Sequence, residues 1–159
     1  MSSALDDHFG FFGFTATNSL ERRFSIDGMI SDASGSLIVE DETGAVAGTV
    51  GWFAVQHGPS STARALNIGI ALLPTYRGRG LGTAAQLGIA EYLFANTLIE
   101  RLEASTDVEN IAEQRALDKA GFQREGVLRH AQFRDGAWQD LVMFSRLRGD
   151  QSPDNSGRA

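Results

Sequence analysis

Three glycines and two arginines crowd into the six residues from Arg77 to Gly82. This stretch follows an apolar run that ends in Leu73-Pro74, and it leads at once into an apolar helical pattern. Glycine lets a backbone approach a ligand closely, and the first N–H groups of a helix lack partners and favour an anion. Residues 77–83 therefore predict a cradle for a pyrophosphate group, to which both arginines add charge-assisted contacts.

Two common nucleotide-binding loops do not fit this stretch. The Walker loop ends in Gly-Lys followed by Ser or Thr, and no such ending is present. The dinucleotide fingerprint G-x-G-x-x-G follows the first strand of its domain, whereas this stretch reads G-x-G-x-G in the middle of the chain. The ligand is therefore expected to be another phosphate compound, and a glycine-rich turn without a ligand is the alternative.

The pattern Arg77-x-x-Gly80-x-Gly82 resembles the acetyl-CoA loop of the GNAT acyltransferase superfamily. Residues 110–122 (NIAEQRALDKAGF) resemble the second signature of that superfamily, an Asn-led helix that ends in Lys-x-Gly-Phe. Residues 124–129 and the Asp135-Gly136 hairpin resemble the RimJ/RimL branch, whose members acetylate the N termini of ribosomal proteins. The resemblance covers roughly residues 37–148.

The resemblance implies acetyl-CoA as the cosubstrate and assigns the residues that bind it. The backbones of Ile70, Ala71 and Leu72 would bind the pantetheine arm, and an N–H group near Leu72 would polarise the thioester carbonyl. Asn110 would face the pantetheine arm or the sulfur, although Asn is also a preferred helix N-cap. The pyrophosphate would be held by the backbone of Arg77, Gly78, Arg79, Gly80, Leu81, Gly82 and Thr83.

In this superfamily an amine attacks the thioester directly, so a base must remove the amine's proton. The chain departs from the family pattern at three positions that bear on this step. Leu117 stands where many members have a Tyr acid, Glu113 where the branch often has Ser, and Asn67 where a Glu is common.

Two carboxylates are therefore the catalytic candidates, Glu103 on the strand before Asn110 and Glu113 on the following helix. A satisfied salt bridge or a solvated face is the alternative explanation for each of them. His57, His130 and His8 are also available, although lone loop histidines are commonly incidental.

The elements that must position these residues follow from hydrophobic periodicity and turn residues. The pattern predicts a short helix within residues 20–31 and helices over 83–96 and 110–120. Strands are expected over residues 37–40, 46–55, 65–72, 102–106, 122–133 and 138–147. This order predicts an α/β (α+β) fold, a mixed sheet with helices packed on it.

The resemblance refines that prediction to a GNAT-like, mostly antiparallel twisted sheet. Family members begin with a strand and a helix before the region that matches residues 9–14, so the N-terminal strand is expected to be missing here. Either the sheet lacks an edge strand, or a neighbouring subunit covers that edge, or the natural start lies upstream.

Length and composition predict one domain over residues 1–148 and a disordered tail over residues 149–159, because the tail is nearly devoid of apolar residues. A net charge of −6 argues against nucleic acid as a partner. No apolar run approaches the roughly 20 residues that cross a membrane, and no export signal is visible, so a cytoplasmic location is expected. Phe9, Phe11, Phe12 and Phe14 predict a loop packed on the core, an acceptor-pocket lining or a dimer contact.

The sequence therefore favours an N-acetyltransferase that moves an acetyl group from acetyl-CoA to a primary amine, either a protein N terminus or a small molecule. The alternative is a catalytically inactive CoA-binding sensor or scaffold. The resemblance implies a homodimer. No metal is expected, because the sequence has no cysteine and no cluster of ligands at metal-binding spacing.

Overall fold

Six strands form one sheet in the computed structural model, which describes residues 19–153. The helices are α1 (Ser19–Asp27), α2 (Leu81–Asn96) and α3 (Ile111–Lys119). The strands are β1 (Ser34–Glu40), β2 (Val46–Gln56), β3 (Arg64–Leu72), β4 (Arg101–Asp107), β5 (Gln123–Arg134) and β6 (Ala137–Leu147). Their spatial order is β1-β2-β3-β4-β6-β5, and β3 and β4 are the parallel neighbours. The predicted order of elements and the mixed, mostly antiparallel sheet are confirmed.

Two tight turns fix the register of the outer hairpins. The Asp41 carboxylate accepts hydrogen bonds from the backbone N–H groups of Thr43 and Ala45, at 2.8 and 3.0 Å, and closes the turn between β1 and β2. Asp135 and Gly136 have φ angles of 52° and 77°, the left-handed pair that a two-residue hairpin of type I′ requires. Both turns lie where the sequence predicts them.

The hydrophobic core lies between the sheet and helices α2 and α3. Helix α2 packs on β2 and β3, and α3 packs on β4 and β5. Leu93 of α2 and Leu117 of α3 are fully buried against alternate residues of the central strands. Those strand residues include Leu66, Leu102 and Phe144. Because side chains alternate along a strand, their sequence neighbours lie on the opposite face of the sheet.

The sheet is nearly divided between β3 and β4. These parallel strands share two register pairs, Leu66 with Leu102 and Asn67 with Glu103, although β3 continues to Leu72 and β4 to Asp107. Each strand is paired along its other edge, β3 with β2 and β4 with β6. The strands therefore part after Asn67 and Glu103, and they leave an opening in the middle of the sheet.

The described part of the chain extends a few residues past β6. Leu147 N–H donates to the Asp150 carboxylate at 2.8 Å, and Arg146 donates to the Ser152 hydroxyl at 3.0 Å. The phenylalanines at positions 9–14 and the predicted tail after Pro153 lie outside the described residues. Within residues 19–153, no helix has both the length and the apolar character that crossing a bilayer requires.

Substitutions at two glycines test how the sheet and its covering helix are packed. A Cβ at Gly48 would lie 2.1 Å from the carbonyl oxygen of Ala71, so we expect Gly48→Ala to lower the free energy of unfolding by about 1–3 kcal/mol. A Cβ at Gly88, inside α2, would meet no atom within 4 Å. Gly88→Ala should therefore raise the free energy of unfolding by roughly 0.5–1 kcal/mol. Urea unfolding measures both, and equal effects of the two substitutions would contradict the packing between β2 and β3.

Candidate active site

Alternate residues of β3 turn their peptide groups toward the opening. Leu73 N–H donates to the Ala47 carbonyl of β2 at 2.9 Å, and peptide directions alternate along an antiparallel strand. The backbone groups of Ile70 and Leu72 therefore face the opening, where β4 no longer pairs with them. Ala71 is aligned with Thr49, and its backbone faces β2. An open strand edge of this kind can hydrogen-bond an extended ligand.

A cavity of about 770 Å³ passes through this opening and has walls on both faces of the sheet. On the helix face its lining includes Gln86 of α2 and Glu113 of α3. On the opposite face it includes Phe53, Asn67 and Arg134. A molecule that occupies this cavity can thus be reached from both sides of the sheet.

The glycine loop forms one end of the cavity. Gly78 and Gly80 have φ angles of 71° and 82°, and a Cβ at either position would meet no atom within 4 Å. Gly80 is the N-cap residue of α2, and no side chain of the described residues caps this helix. Gly82 and Thr83 also line the cavity. The N–H groups at the start of α2 are therefore open to an anion, as the sequence predicts.

The two arginines of the loop differ in position. Arg77 lines the cavity, and its Nε donates to the Leu72 carbonyl at 3.0 Å. The guanidinium of Arg79 lies over the ring of Tyr76, 5.7 Å from its centroid. The described residues that line the cavity do not include Arg79 or Leu81. Leu81 packs against the core instead and lines a smaller cavity of about 330 Å³ beside α2.

Asn110 is the N-cap of α3, so the capping role that the sequence left open is confirmed. Its Oδ1 accepts from the Glu113 N–H at 3.3 Å, and its Nδ2 donates to the Thr106 hydroxyl at 3.1 Å. The residue also lines the cavity. Capping and exposure to a ligand are therefore compatible at this position.

Glu113 lies on the helix face and is paired with a buried amide. Gln86 Nε2 donates to Glu113 Oε1 at 2.7 Å. Burial raises the pKa of Glu113 to about 7, and the hydrogen bond from Gln86 opposes that rise only in part. Gln86 is 1% exposed, and its Oε1 has no hydrogen-bond partner among residues 19–153. An unpartnered acceptor in a cavity wall is suited to a ligand N–H group.

The sequence analysis did not single out Gln86. A signal for it exists, because it shares one face of α2 with Ile89, Ala90 and Leu93, which follow at helical spacing and are buried. A polar residue in such an apolar stripe indicates a buried polar contact.

Glu103 lies on the opposite face and does not line the cavity in the described part of the chain. Its side chain is 3% exposed and accepts from Arg101 Nε at 2.7 Å. His57 Nε2 lies 2.5 Å from the same carboxylate oxygen. The salt bridge that the sequence left as an alternative is present, and it includes a histidine that the sequence did not connect with Glu103.

A second buried ion pair stands at the far end of β4. Arg134 Nη2 binds the carboxylate of Asp107, and both side chains are 2% exposed. Arg134 Nη1 also donates to Gln132 Oε1 at 2.9 Å. This pair ties β4 to the β5–β6 hairpin beside the cavity. The sequence analysis did not identify it.

The predicted catalytic carboxylates are therefore separated by the sheet, Glu113 on the helix face and Glu103 on the opposite face. The β3 residues and the predicted loop residues other than Arg79 and Leu81, by contrast, meet around one cavity. Among residues 19–153, no group of three or more His, Asp or Glu side chains could hold a metal ion.

Comparisons with known proteins agree with this architecture. Residues 11–123 match the protein-family model described as an acetyltransferase (GNAT) domain. The chain is 33% identical over 103 residues to the probable N-acetyltransferase YjcK of Bacillus subtilis. The aligned residues cover 65% of this chain and 55% of that protein. It is 32% identical over 111 residues to the uncharacterized N-acetyltransferase p20 of Bacillus licheniformis. This alignment covers 70% of this chain and 60% of that protein. The chain thus spans little more than half the length of these curated relatives.

Solved structures show the same fold. Spermidine N-acetyltransferase from Vibrio cholerae, in complex with CoA and spermine, superposes with a TM-score of 0.74 at 20% identity over 91% of this chain and 83% of that chain. Mycobacterium smegmatis RimJ, in complex with CoA-disulfide, superposes with a TM-score of 0.66 at 26% identity. The match covers 76% of this chain and 57% of that chain. The GNAT-like sheet expected from the sequence is thereby confirmed.

The raised pKa of Glu113 predicts how stability depends on pH. An unfolded glutamate has a pKa of about 4.3, so between pH 4.3 and 7 the folded state binds more protons at Glu113 than the unfolded state does. Glu113 therefore lowers the free energy of unfolding as the pH rises through this window. We expect Glu113→Gln to be more stable than the native protein at pH 8, by on the order of 3 kcal/mol at most, and the difference should fall to about 1 kcal/mol at pH 5.

Denaturant unfolding of both proteins at the two pH values measures this difference. Glu91→Gln, at an exposed position of α2, is the matched control and should leave the pH dependence unchanged. A constant difference between Glu113→Gln and the native protein across this pH range would contradict the burial of Glu113.

Proposed function

The chain belongs to the GNAT acetyltransferase domain family, and from that membership we propose that it is an N-acetyltransferase that transfers an acetyl group from acetyl-CoA to a primary amine. The observation that carries this proposal is the cavity through the sheet. It combines an open edge of β3 with a glycine cradle at the start of α2. An extended ligand with a phosphate at one end matches that combination.

The residues of the cavity fit CoA along its length. The pyrophosphate suits the N–H groups at the start of α2, where Gly78 and Gly80 leave room that any Cβ would fill. The pantetheine arm suits the open edge at Ile70 and Leu72, and the buried Oε1 of Gln86 is an acceptor for one of its amide N–H groups. Three cationic residues of the lining add positive charge for the phosphates: Arg77, Arg115 and Lys119.

The reaction that we propose needs only approach, polarisation and two proton movements. The amine nitrogen forms a bond to the thioester carbonyl carbon, and the carbon–sulfur bond breaks. A backbone N–H near Leu72 would stabilise the charge that develops on the carbonyl oxygen. The amine gives up a proton to a base, and the CoA thiolate takes one from an acid or from water.

The sheet suggests how the two carboxylates divide these tasks. Glu113 lies on the helix face with the glycine cradle, and its pKa of about 7 leaves it partly protonated at neutral pH. We therefore assign Glu113 to the side of the leaving thiolate, as an acid. Glu103 lies on the opposite face, the side from which the amine would enter, and we assign it to removal of the amine's proton. Asn110 would hold the start of α3 against the ligand.

The charges of the amine face favour an acceptor with a single amine. Glu103 and Glu125 on this face are both bound to Arg101, and Asp107 is bound to Arg134. A polyamine is recognised by several carboxylates that are free to pair with it, and these three are already paired with arginines. We therefore propose a protein N terminus or a small monoamine as the acceptor, in line with the RimJ/RimL-like resemblance. The single domain over residues 1–148, the cytoplasmic location, the homodimer and the absence of nucleic-acid and membrane partners stay predictions.

A CoA-binding sensor without turnover is the second candidate. The observation that favours it is Leu117, which is 1% exposed and occupies the position where many family members carry a Tyr acid. Asn67, at the apex of the opening, cannot act as a base either. Both candidates bind acetyl-CoA, and they differ only in whether an amine is acetylated.

Binding tests the cradle. We expect acetyl-CoA to bind with micromolar affinity in calorimetric titration, with NADH and ATP as negative controls. Gly80→Asp should abolish this binding, because it places a side chain and a negative charge where the phosphates would lie. Gly44→Asp is a matched control, since Gly44 has nearly the same φ (81° against 82°) and its Cβ also meets no atom within 4 Å. Equal affinity of the two variants for acetyl-CoA would show that the glycine loop does not bind the phosphates.

Turnover separates the two candidates. The native protein is mixed with acetyl-CoA and either an N-terminal peptide, a small monoamine or spermidine, and the CoA thiol is followed with a thiol reagent. The chain contains no cysteine, so the protein itself gives no background in this assay. Release of CoA that depends on a monoamine supports the enzyme. Binding without any amine-dependent release would identify the sensor, and a clear preference for spermidine would overturn the assignment of the acceptor.

A further inference from the structure

Gly69 of β3 differs from the glycines of β1 and β2 in its surroundings. Glycine weakens a strand, and inside one it commonly marks a bulge or the close approach of another backbone or of a ligand. Close approach explains the glycines of β1 and β2, because a Cβ at each would lie 2.1–2.8 Å from another atom: Gly35, Gly48 and Gly51. A Cβ at Gly69 would meet no atom of residues 19–153 within 4 Å.

The backbone conformation at Gly69 does not require glycine either. Its φ lies outside the left-handed region, and its pairing with Gly51 belongs to an uninterrupted register between β2 and β3. Glycine loses more conformational freedom on folding than alanine does, and no close contact, turn or bulge within residues 19–153 offsets that loss here. The explanation that remains for Gly69 is a ligand that lies close to its backbone.

Gly69 lies on the face of the sheet from which the amine would enter. Leu66 and Ile68 are buried in the core on the helix face, and side chains alternate along a strand. Asn67, Gly69 and Ala71 therefore share the opposite face, and all three line the cavity. Between Asn67 and Ala71, the floor of the cavity on this face is thus backbone without a side chain.

Two exposed residues border this floor. Phe53 of β2 is the register partner of Asn67, lines the cavity and is 54% exposed. It is therefore diagonal to Gly69, and diagonal neighbours of an antiparallel pair are roughly 7–8 Å apart, within reach of an aromatic ring. Ser105 of β4 lines the cavity across the opening, on the same face as Glu103. We call the space above Gly69, between Phe53 and Ser105, the acceptor slot.

The acceptor slot lies where an acetyl group would be presented. The glycine loop follows the end of β3 at Leu72, so the apex at Asn67 is the part of the opening farthest from the cradle. A ligand with its phosphates in the cradle and its arm along β3 therefore ends between Leu72 and the apex. An amine that approaches this end from the opposite face passes over Gly69.

We propose that the floor at Gly69 makes room for a side chain on the carbon that bears the attacking amine, and that Phe53 packs against that side chain. The inference rests on the proposed acetyl transfer and concerns the shape of the acceptor. A protein N terminus other than glycine has a branched carbon of this kind, whereas N-terminal glycine and straight-chain monoamines carry the amine on a CH2 group. Gly69 thus determines specificity for a protein N terminus with a side chain.

The experiment compares two bisubstrate compounds by calorimetric titration. In each, an acetyl bridge joins the CoA sulfur to the N-terminal nitrogen of a short peptide. The peptide begins with alanine in one compound and with glycine in the other, so the two differ by one methyl group. We expect the native protein to bind both more tightly than acetyl-CoA, and to bind the alanyl compound at least as tightly as the glycyl compound.

Gly69→Ala should bind the alanyl compound about 10- to 100-fold more weakly than the native protein does, because the added methyl group meets the methyl group of the ligand. Its affinity for the glycyl compound should fall only slightly. Its affinity for acetyl-CoA should be unchanged, which also shows that the variant is folded.

Gly126→Ala is the matched control. Gly126 lies in β5 with a φ outside the left-handed region, and a Cβ there would meet no atom of the described residues within 4 Å. It is not among the residues that line the cavity. We expect Gly126→Ala to bind all three ligands with native affinity. Phe53→Ala should weaken the alanyl compound more than the glycyl compound and leave the affinity for acetyl-CoA unchanged.

Three results would overturn the acceptor slot. One is an equal affinity of Gly69→Ala and the native protein for the alanyl compound. Another is an equal loss for both compounds, which would place Gly69 beside a part of the ligand that they share. The third is a native protein that binds neither compound more tightly than acetyl-CoA.

Release of CoA from acetyl-CoA and the alanyl peptide tests the acetyl transfer separately. A native protein that releases CoA, with a Gly69→Ala variant of unchanged selectivity, retains the acetyl transfer and overturns the acceptor slot. A native protein that binds the two compounds as expected and releases no CoA overturns the acetyl transfer, while the shape of the slot stands.

Discussion

The structure depends on where two parallel strands stop pairing. β3 and β4 are each held by an antiparallel neighbour on their outer edge, so neither needs the other for its position in the sheet. After Asn67 and Glu103 they separate, and the inner edge of β3 keeps peptide groups that no strand within residues 19–153 satisfies. Unsatisfied peptide groups are costly unless water or a ligand binds them. The cavity, the cradle at its end and the separation of the two carboxylates by the sheet all follow from this parting.

Charge is distributed differently on the two faces that the opening connects. On the helix face the Glu113 carboxylate is buried beside the Gln86 amide, and burial raises the pKa of Glu113. On the opposite face carboxylates are bound to arginines, and the pKa of Glu125 is held down at about 2 by Arg101. One face can therefore hold a proton near neutral pH, and the other keeps Glu125 ionised. A reaction that removes a proton on one side and supplies one on the other suits such an arrangement.

Much of the fold could be predicted because its signals are local. Periodicity located each helix and strand, Asn110 marked the start of α3, and Asp135-Gly136 marked a turn. The glycine loop was equally visible, since its residues are contiguous.

The partners of the carboxylates were not visible, because they are distant in sequence. His57 and Glu103 are 46 positions apart, and Gln86 and Glu113, like Asp107 and Arg134, are 27 apart. Such pairs depend on strand register and on the crossover through α2, which no local pattern encodes. The parting of β3 and β4 is likewise a product of twist and pairing across the whole sheet.

The short junction between β3 and β4 also has a mechanical meaning. The sheet consists of two three-stranded plates, and two register pairs form the seam between them. A ligand that hydrogen-bonds along β3 and reaches across to β4 and α3 closes this seam as an extra strand would. Because such a ligand binds the folded chain and not the unfolded one, its binding raises the free energy of unfolding by an amount that grows with the logarithm of the ligand concentration. The lifetime of the protein in a cell would then follow the supply of the proposed ligand, so that a shortage would deplete the protein.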